Sequence, residues 1–289
     1  MSDASALRAI GFVVGAMALL STQDALAKLL MASLAPVVIV WTRYMVQFGL
    51  AAAAALRQRD ARPWQTRQRK GQVLRGLLVV GGSVFGYAAL MRMPVAEFTA
   101  IYCLTPGLVG LVARFALGEP MRPIAWVCIA GGLAGCLLIV RPGGDVDPLG
   151  ALLALSGVAC YTGFQTLTGV LAREDSPQTI HLYTSALGAM AFSLVVPWFW
   201  PASITWGDLA LLLSVALAGT YGQYFMAVGF SRAPVSTLSP YLYTAIAFSV
   251  LLGWALFGHV PDGWSFTGMA LIAGFGVLAA WARHSALAR

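Results

Sequence analysis

The run Ala9-Ile10-Gly11-Phe12-Val13-Val14-Gly15-Ala16-Met17-Ala18-Leu19-Leu20-Ser21-Thr22-Gln23 carries no charged side chain, and beyond Asp24 the chain stays apolar to Leu30 except at Lys28. At 1.5 Å of rise per residue, such a stretch spans the roughly 30 Å hydrocarbon core of a bilayer. The pattern then repeats to the end of the chain. Ten spans are expected, at residues 8–30, 36–56, 72–91, 95–117, 122–141, 149–172, 177–199, 207–229, 235–257 and 264–284. Prolines mark most connections, among them Pro36, Pro94, Pro120, Pro123, Pro142, Pro201 and Pro261. Residues 1–8 are short and polar, so no cleavable leader is expected.

Composition agrees. Of 289 residues, 59% are hydrophobic and 10% charged, against about 25% charged in soluble domains. The net charge of +7 does not indicate nucleic acid, because the basic residues lie in the gaps between apolar runs, where they orient a membrane protein. With the N-terminus inside, fourteen of the eighteen Lys and Arg fall on the inner side, densest over residues 57–75. Arg75 is counted among these orienting charges. Lys28, Arg92 and Arg141 fall outside, and Arg43 lies within a span. The fold expected is an all-α integral membrane protein with both termini cytoplasmic, in a bacterial inner membrane.

Ten helices divide into two fives. Five is odd, so tandem halves, residues 1–145 and 146–289, would insert with opposite orientation around a central cavity. Inverted repeats of this kind are a common transporter plan. Leu117-Gly118-Glu119-Pro120 followed by Gly131, Gly132 and Gly135 is echoed by Phe257-Gly258-His259-Val260-Pro261 followed by Gly268, Gly274 and Gly276.

The chain resembles the EamA family of the drug/metabolite transporter superfamily. The matching stretches are Ser21-Thr22-Gln23-Asp24-Ala25-Leu26-Ala27-Lys28, Trp41-Thr42-Arg43, Tyr87 through Ala100, Leu104-Thr105-Pro106, Leu117-Gly118-Glu119-Pro120, and Ala227 through Pro240. His259 stands where the family usually has an acidic residue. The resemblance implies transport of a small solute. Within the family the chain looks like the amino-acid and metabolite exporters, with uptake of a vitamin or nucleoside-like metabolite as the alternative. A monomer is expected, with a dimer as the alternative, and the bilayer and a small-molecule substrate as its partners.

Ionisable groups inside spans are costly and face the bundle interior. Asp24 and Lys28, at i and i+4, share a face and suggest an ion pair or a substrate contact. Arg43 is a candidate partner for Asp24. Glu97, in a first helical turn, suits the helix dipole or a gate. Phenols and amides at membrane depth need partners or a wet cavity, which makes Gln23, Tyr87, Tyr102, Tyr161, Gln165, Tyr224 and Tyr241 candidate cavity residues beside Tyr221, Gln223 and Tyr243. Trp198, Trp200, Trp206 and Trp264 read as interfacial belt residues. Thr105-Pro106 and Ser239-Pro240 are candidate matched helix breaks, where freed backbone groups would face substrate.

No phosphate-binding GxxxxGK[ST], HExxH or GxSxG occurs. His181, His259 and His284 lack metal-ligand spacing, and the cysteines Cys103, Cys128, Cys136 and Cys160 form no CxxC pair. No cofactor, metal or enzymatic activity is expected, and an intramembrane enzyme is the least favoured class.

Overall fold

The computed structural model describes residues 3–57, 65–66, 68–116, 123–141, 147–171, 175, 177–232 and 238–287. The expectations on Gly118-Glu119-Pro120 and on the loop arginines Arg59, Arg62, Arg67, Arg122 and Arg173 lie outside the described residues. Helices α1 (Asp3–Leu30), α2 (Pro36–Arg57) and α3 (Arg69–Leu90) are followed by α4 (Val95–Tyr102), α5 (Thr105–Ala116) and α6 (Pro123–Val140). Then come α7 (Pro148–Leu171), α8 (Pro177–Val195), α9 (Trp206–Arg232), α10 (Thr244–Phe257) and α11 (Gly263–Leu287), with 3-10 turns at Val196–Phe199 and Ser239–Tyr243. No strand occurs among the described residues.

Eight of the ten expected spans are long and apolar enough to cross a membrane, and two, Tyr241–Phe257 and Gly263–Ala279, are shorter apolar helices. The expectation of ten equal spans is corrected to that extent. The span expected at 95–117 is two collinear pieces, interrupted at Cys103-Leu104. The cause is local. Pro106 has no N–H to give to the carbonyl of Tyr102 four residues earlier. The Thr105 hydroxyl supplies the donor instead, at 2.7 Å from that carbonyl. The second half uses a related device: Thr244, opening α10 after its 3-10 turn, donates to the Tyr241 carbonyl at 2.6 Å.

Neighbouring helices pair as α1 on α9, α2 on α8, α3 on α7, α4 on α10 and α6 on α11. Glycine sets the closest approach. A Cβ on Gly135 would stand 2.6 Å from the Gly268 carbonyl oxygen, and one on Gly268 would stand 2.5 Å from that of Gly135. Only bare backbone lets α6 and α11 meet there, a packing mode that lipid favours because apolar burial adds little between helices. The main core gathers Leu30, Ile39, Tyr44, Leu90, Ile101, Ile139 and Ile272. Large apolar side chains also cover the outside, including Phe115, Leu137, Leu194 and Trp281, a surface that hydrocarbon solvates. Trp198, Trp200, Trp206 and Trp264 are exposed at helix ends.

The chain alternates between two ends of the bundle. Polar ties link segments at the end opposite the N-terminus. Asp147 accepts the backbone N–H groups of Leu149 and Gly150 at the start of α7 and pairs with Arg92 at 3.2 Å. Asp262 accepts the Ser265 N–H at the start of α11 and pairs with Arg141. Thr205 and Asp208 cap α9 reciprocally, and Asp208 also accepts from Ser33 at 2.8 Å. Each carboxylate therefore stabilises a helix N-terminus while holding another segment to it.

Candidate functional site

The polar centre is built by α1, α2, α3, α4 and α7. Arg43 projects from α2 and its Nη2 donates to Ser83 Oγ on α3 at 3.0 Å. Its guanidinium carbon lies 4.7 Å from the ring centre of Tyr44 and 5.6 Å from that of Tyr87. Tyr44 Oη and Ser83 Oγ are 2.8 Å apart, and Ser83 donates to the Val79 carbonyl at 2.9 Å. Ser83 thus spends its single proton on Val79 and accepts from the other two. Asp24 on α1 accepts from Gln23 Nε2 at 2.9 Å. Asp24, Arg43, Tyr87, Tyr102 and Tyr161 lie close enough to interact electrostatically. Gln223 of α9 lies near Tyr161.

An aromatic wall continues from this centre. Phe98 and Tyr102 are 4.5 Å apart between ring centres, Tyr102 and Tyr161 are 6.2 Å apart, and Tyr161 stacks on Phe164 at 5.6 Å. The Tyr102 hydroxyl fits between Gly86 of α3 and Gly157 of α7, where a Cβ on either glycine would collide with it. It is 3.4 Å from the Gly82 carbonyl. Beside this wall, Ser21, Ser249 and Thr99 form a buried hydroxyl chain across α1, α10 and α4, with links of 3.2 and 2.8 Å.

Several expected residues sit elsewhere or act differently. Lys28 is not bonded to Asp24: its ammonium donates to the carbonyls of Leu90 at 2.8 Å and Met93 at 2.5 Å. These are acceptors left free where α3 ends, and a cation there suits the helix dipole. No N···O contact within 4 Å joins Asp24 to Arg43 among the described residues, so their coupling is through space. Glu97, wholly buried, faces the His259 imidazole at 3.1 Å. Lys28, Arg92, Pro94, Phe257 and His259 line an open recess beside them. Pro106 lines a separate apolar recess with Tyr243 and Phe275. Thr105 is buried and turned back on its own helix. Tyr241 packs near Ala9, Val13 and Leu238 at the other end of α1. Gln165 is exposed, and Tyr224 is exposed beside Phe225 at 6.3 Å. Ser239 and Pro240 open the 3-10 turn before α10, and their side chains lie outside the described residues.

Three participants were not singled out from sequence. Tyr44 and Ser83 complete the Arg43 site. Their signal was a phenol and a hydroxyl at membrane depth, one adjacent to Arg43. The third is Arg75. Counted as an orienting surface charge, it is 2% exposed. It donates to Gln72 and to the Ile180 carbonyl at 3.1 Å, contacts Thr184, and stacks over Phe164 at 4.9 Å. Gln72 and Thr66 in turn donate to Asp175 at 2.7 and 2.6 Å. The spacing Gln72-x-x-Arg75 on one helical face was the available signal. Among the described residues, no three His, Cys, Asp or Glu gather closely enough to hold a metal ion.

An apolar-coated helical bundle around a charged, aromatic centre defines a multi-pass membrane protein. The EamA-like transporter family matches residues 7–141 and again residues 148–280, and the chain belongs to that family. It is a multi-pass membrane transporter. A riboflavin transporter of Rhizobium johnstonii is 29% identical over 236 residues, covering 79% of this chain and 72% of that one. An S-adenosylmethionine uptake transporter of Rickettsia prowazekii is 25% identical over 69% of this chain and 68% of its own length. A pseudopaline exporter of Pseudomonas aeruginosa is 26% identical over 69% and 71%. A solved crystal structure at 22% identity superimposes with a TM-score of 0.67, covering 94% of this chain and 96% of that one, and shares the fold.

Proposed function

We propose that the protein is a secondary transporter of the bacterial inner membrane, both termini cytoplasmic, carrying a flat heteroaromatic metabolite of vitamin or nucleoside size by alternating access. The observation that carries this reading is the polar centre with its aromatic wall. Asp24 and Arg43 present opposite charges, and the rings of Tyr102 and Tyr161 lie beside them. Such a surface fits a planar solute with a polar edge, since stacking rewards ring area and the charged groups orient the edge. Riboflavin and S-adenosylmethionine, the cargoes named for two relatives, both contain a planar heterocycle.

Alternating access would proceed by rocking residues 1–145 against 146–289. Two observations support this division. The family matches the chain twice, once in each part. The helix pairing is also unchanged when the parts are exchanged: α1 packs on α9 as α7 packs on α3, while α2 pairs with α8, α4 with α10 and α6 with α11. Sequence reading placed amino-acid export first and vitamin uptake second, and the named relatives favour the reverse order.

The test is counterflow in proteoliposomes with labelled riboflavin, S-adenosylmethionine and the twenty amino acids. Accumulation of a heterocyclic probe is expected. Flux confined to amino acids, or no flux of any probe from folded protein, would overturn the proposal.

A further inference from the structure

Two buried donors at the polar centre have no acceptor. Arg43 Nε and the Tyr87 hydroxyl are both sealed from solvent and unpartnered. Tyr87 as a whole is 7% exposed. Ser83 has no capacity left for them: it already accepts from Arg43 Nη2 and Tyr44 and donates to Val79. A buried donor without an acceptor is destabilising, so the pair calls for an acceptor. Asp24, whose Oδ1 accepts from Gln23 Nε2, lies within electrostatic reach of both Arg43 and Tyr87.

We infer that Arg43 Nε–H and Tyr87 O–H together bind a carbonyl on the edge of the transported heterocycle, and that Asp24 accepts the N–H adjacent to that carbonyl. The inference rests on the function proposed above and narrows its substrate class to rings with an imide- or lactam-type edge. The argument is one of matching chemistry. Two donors without acceptors require an acceptor atom from the solute, and a carboxylate within electrostatic reach of both requires a donor beside it. The Tyr102–Tyr161 pair, backed by Phe164, then takes the ring face. Arg43 is held by Ser83 at Nη2 and lies over the Tyr44 ring, and its Nε is the guanidinium nitrogen that is both buried and without an acceptor. A site built to hydrogen-bond an edge discriminates strongly against analogues lacking it, because its polar groups are then left unpaired.

The experiment uses the full-length protein in detergent and liposomes, with riboflavin and its N3-methyl analogue as probes. For the wild type, riboflavin should bind at least tenfold more tightly than the N3-methyl analogue. Tyr87→Phe removes an unsatisfied hydroxyl, so the ligand-free variant should melt at a higher temperature than wild type while binding riboflavin at least tenfold more weakly. Arg43→Lys should also weaken binding, and Asp24→Asn should erase the preference for the N3–H probe. Wild-type riboflavin affinity in both Tyr87→Phe and Arg43→Lys would overturn the inference, even if riboflavin proves to be the cargo. If the wild type binds only amino acids, the proposed function fails, and the same two variants then test the donor pair against the amino-acid carboxylate. Unchanged amino-acid affinity and an unchanged melting temperature in Tyr87→Phe would overturn the pair as well.

Discussion

His259 Nε2 lies 3.1 Å from Glu97 Oε1, joining the first turn of α4 to the turn between α10 and α11. Gly258 makes this reach available. At φ 65° it closes α10 in the left-handed conformation, and the next amide, that of His259, bonds back to the Gly253 carbonyl at 3.2 Å. This is the glycine-ended helix stop that L side chains resist. Glu97 Oε2 has no partner in its buried position. His259 therefore stands as a direct partner of Glu97, in a place where the family usually has an acid that would repel it.

Removing His259 leaves a buried carboxylate without its hydrogen bond. His259→Ala should lower stability by roughly 2 kcal/mol, in the range for hydrogen bonds to charged groups. Glu97→Gln combined with it should cost less than the sum of the single changes, because the two groups are in contact. Thermal unfolding of the four proteins in detergent checks this, and additivity would show the pair to be uncoupled.

Asp24 and Asp147 separate a central carboxylate from a peripheral one. Asp24→Asn should reduce transport of the counterflow substrate by tenfold or more. Asp147, exposed and committed to Arg92 and the start of α7, should leave transport within about twofold when changed to Asn. Initial rates in liposomes at matched protein density decide between them.

Acid should act through the far-end ties. Arg141 first, then the Ser265 backbone N–H, hold the Asp262 carboxyl well below the usual range. At Asp147 desolvation raises the carboxyl, but Arg92 and the Leu149 and Gly150 amides together outweigh it and hold it below that range too. A depressed carboxyl contributes stability above its unfolded value of about 3.9 and loses it as pH falls toward the folded value. The melting temperature should therefore lose nothing from these groups between pH 7 and 5, and fall below about pH 4. Asp262→Asn should flatten that acid limb, as a pH series of melting curves would record.

The contact of Tyr102 with Gly157 makes a steric prediction. Gly157→Ala puts a methyl into the Tyr102 hydroxyl, and overpacking of this kind costs about 1–3 kcal/mol. Tyr102→Phe in the same chain should recover most of that loss, because it deletes the colliding atom. If the double variant is no more stable than Gly157→Ala, the collision lies with backbone rather than with the hydroxyl.

Arg75 ties α3 to the start of α8 by a fork that a lysine cannot reproduce. Arg75→Lys should destabilise the protein measurably, and Arg75→Ala should do so by about 3 kcal/mol or more, since Gln72 and the Ile180 carbonyl lose their partner. Arg69→Ala, at an exposed position one and a half turns away, should change stability by less than about 0.5 kcal/mol.

The sequence by itself determined the class of molecule and most of its helices, because hydropathy is a property of each residue in turn and a span needs only length and apolarity. It also located the break at Thr105-Pro106, since a missing N–H is a local fact, and it singled out Asp24, Arg43, Glu97, Tyr87, Tyr102 and Tyr161 as costly groups for a bilayer to hold. What it left open was who meets whom. Lys28 reads as a partner for Asp24 at i+4, yet the carbonyls of Leu90 and Met93 take it. Arg75 reads as one more basic residue near a loop, yet it is buried against α8. Tyr224 and Tyr241 read like Tyr161, yet they lie on other surfaces. Partner choice depends on which helix faces are brought together, and close glycine contacts such as Gly135 on Gly268 set that between residues more than a hundred positions apart. No local periodicity carries that information, so only the tertiary structure decided it.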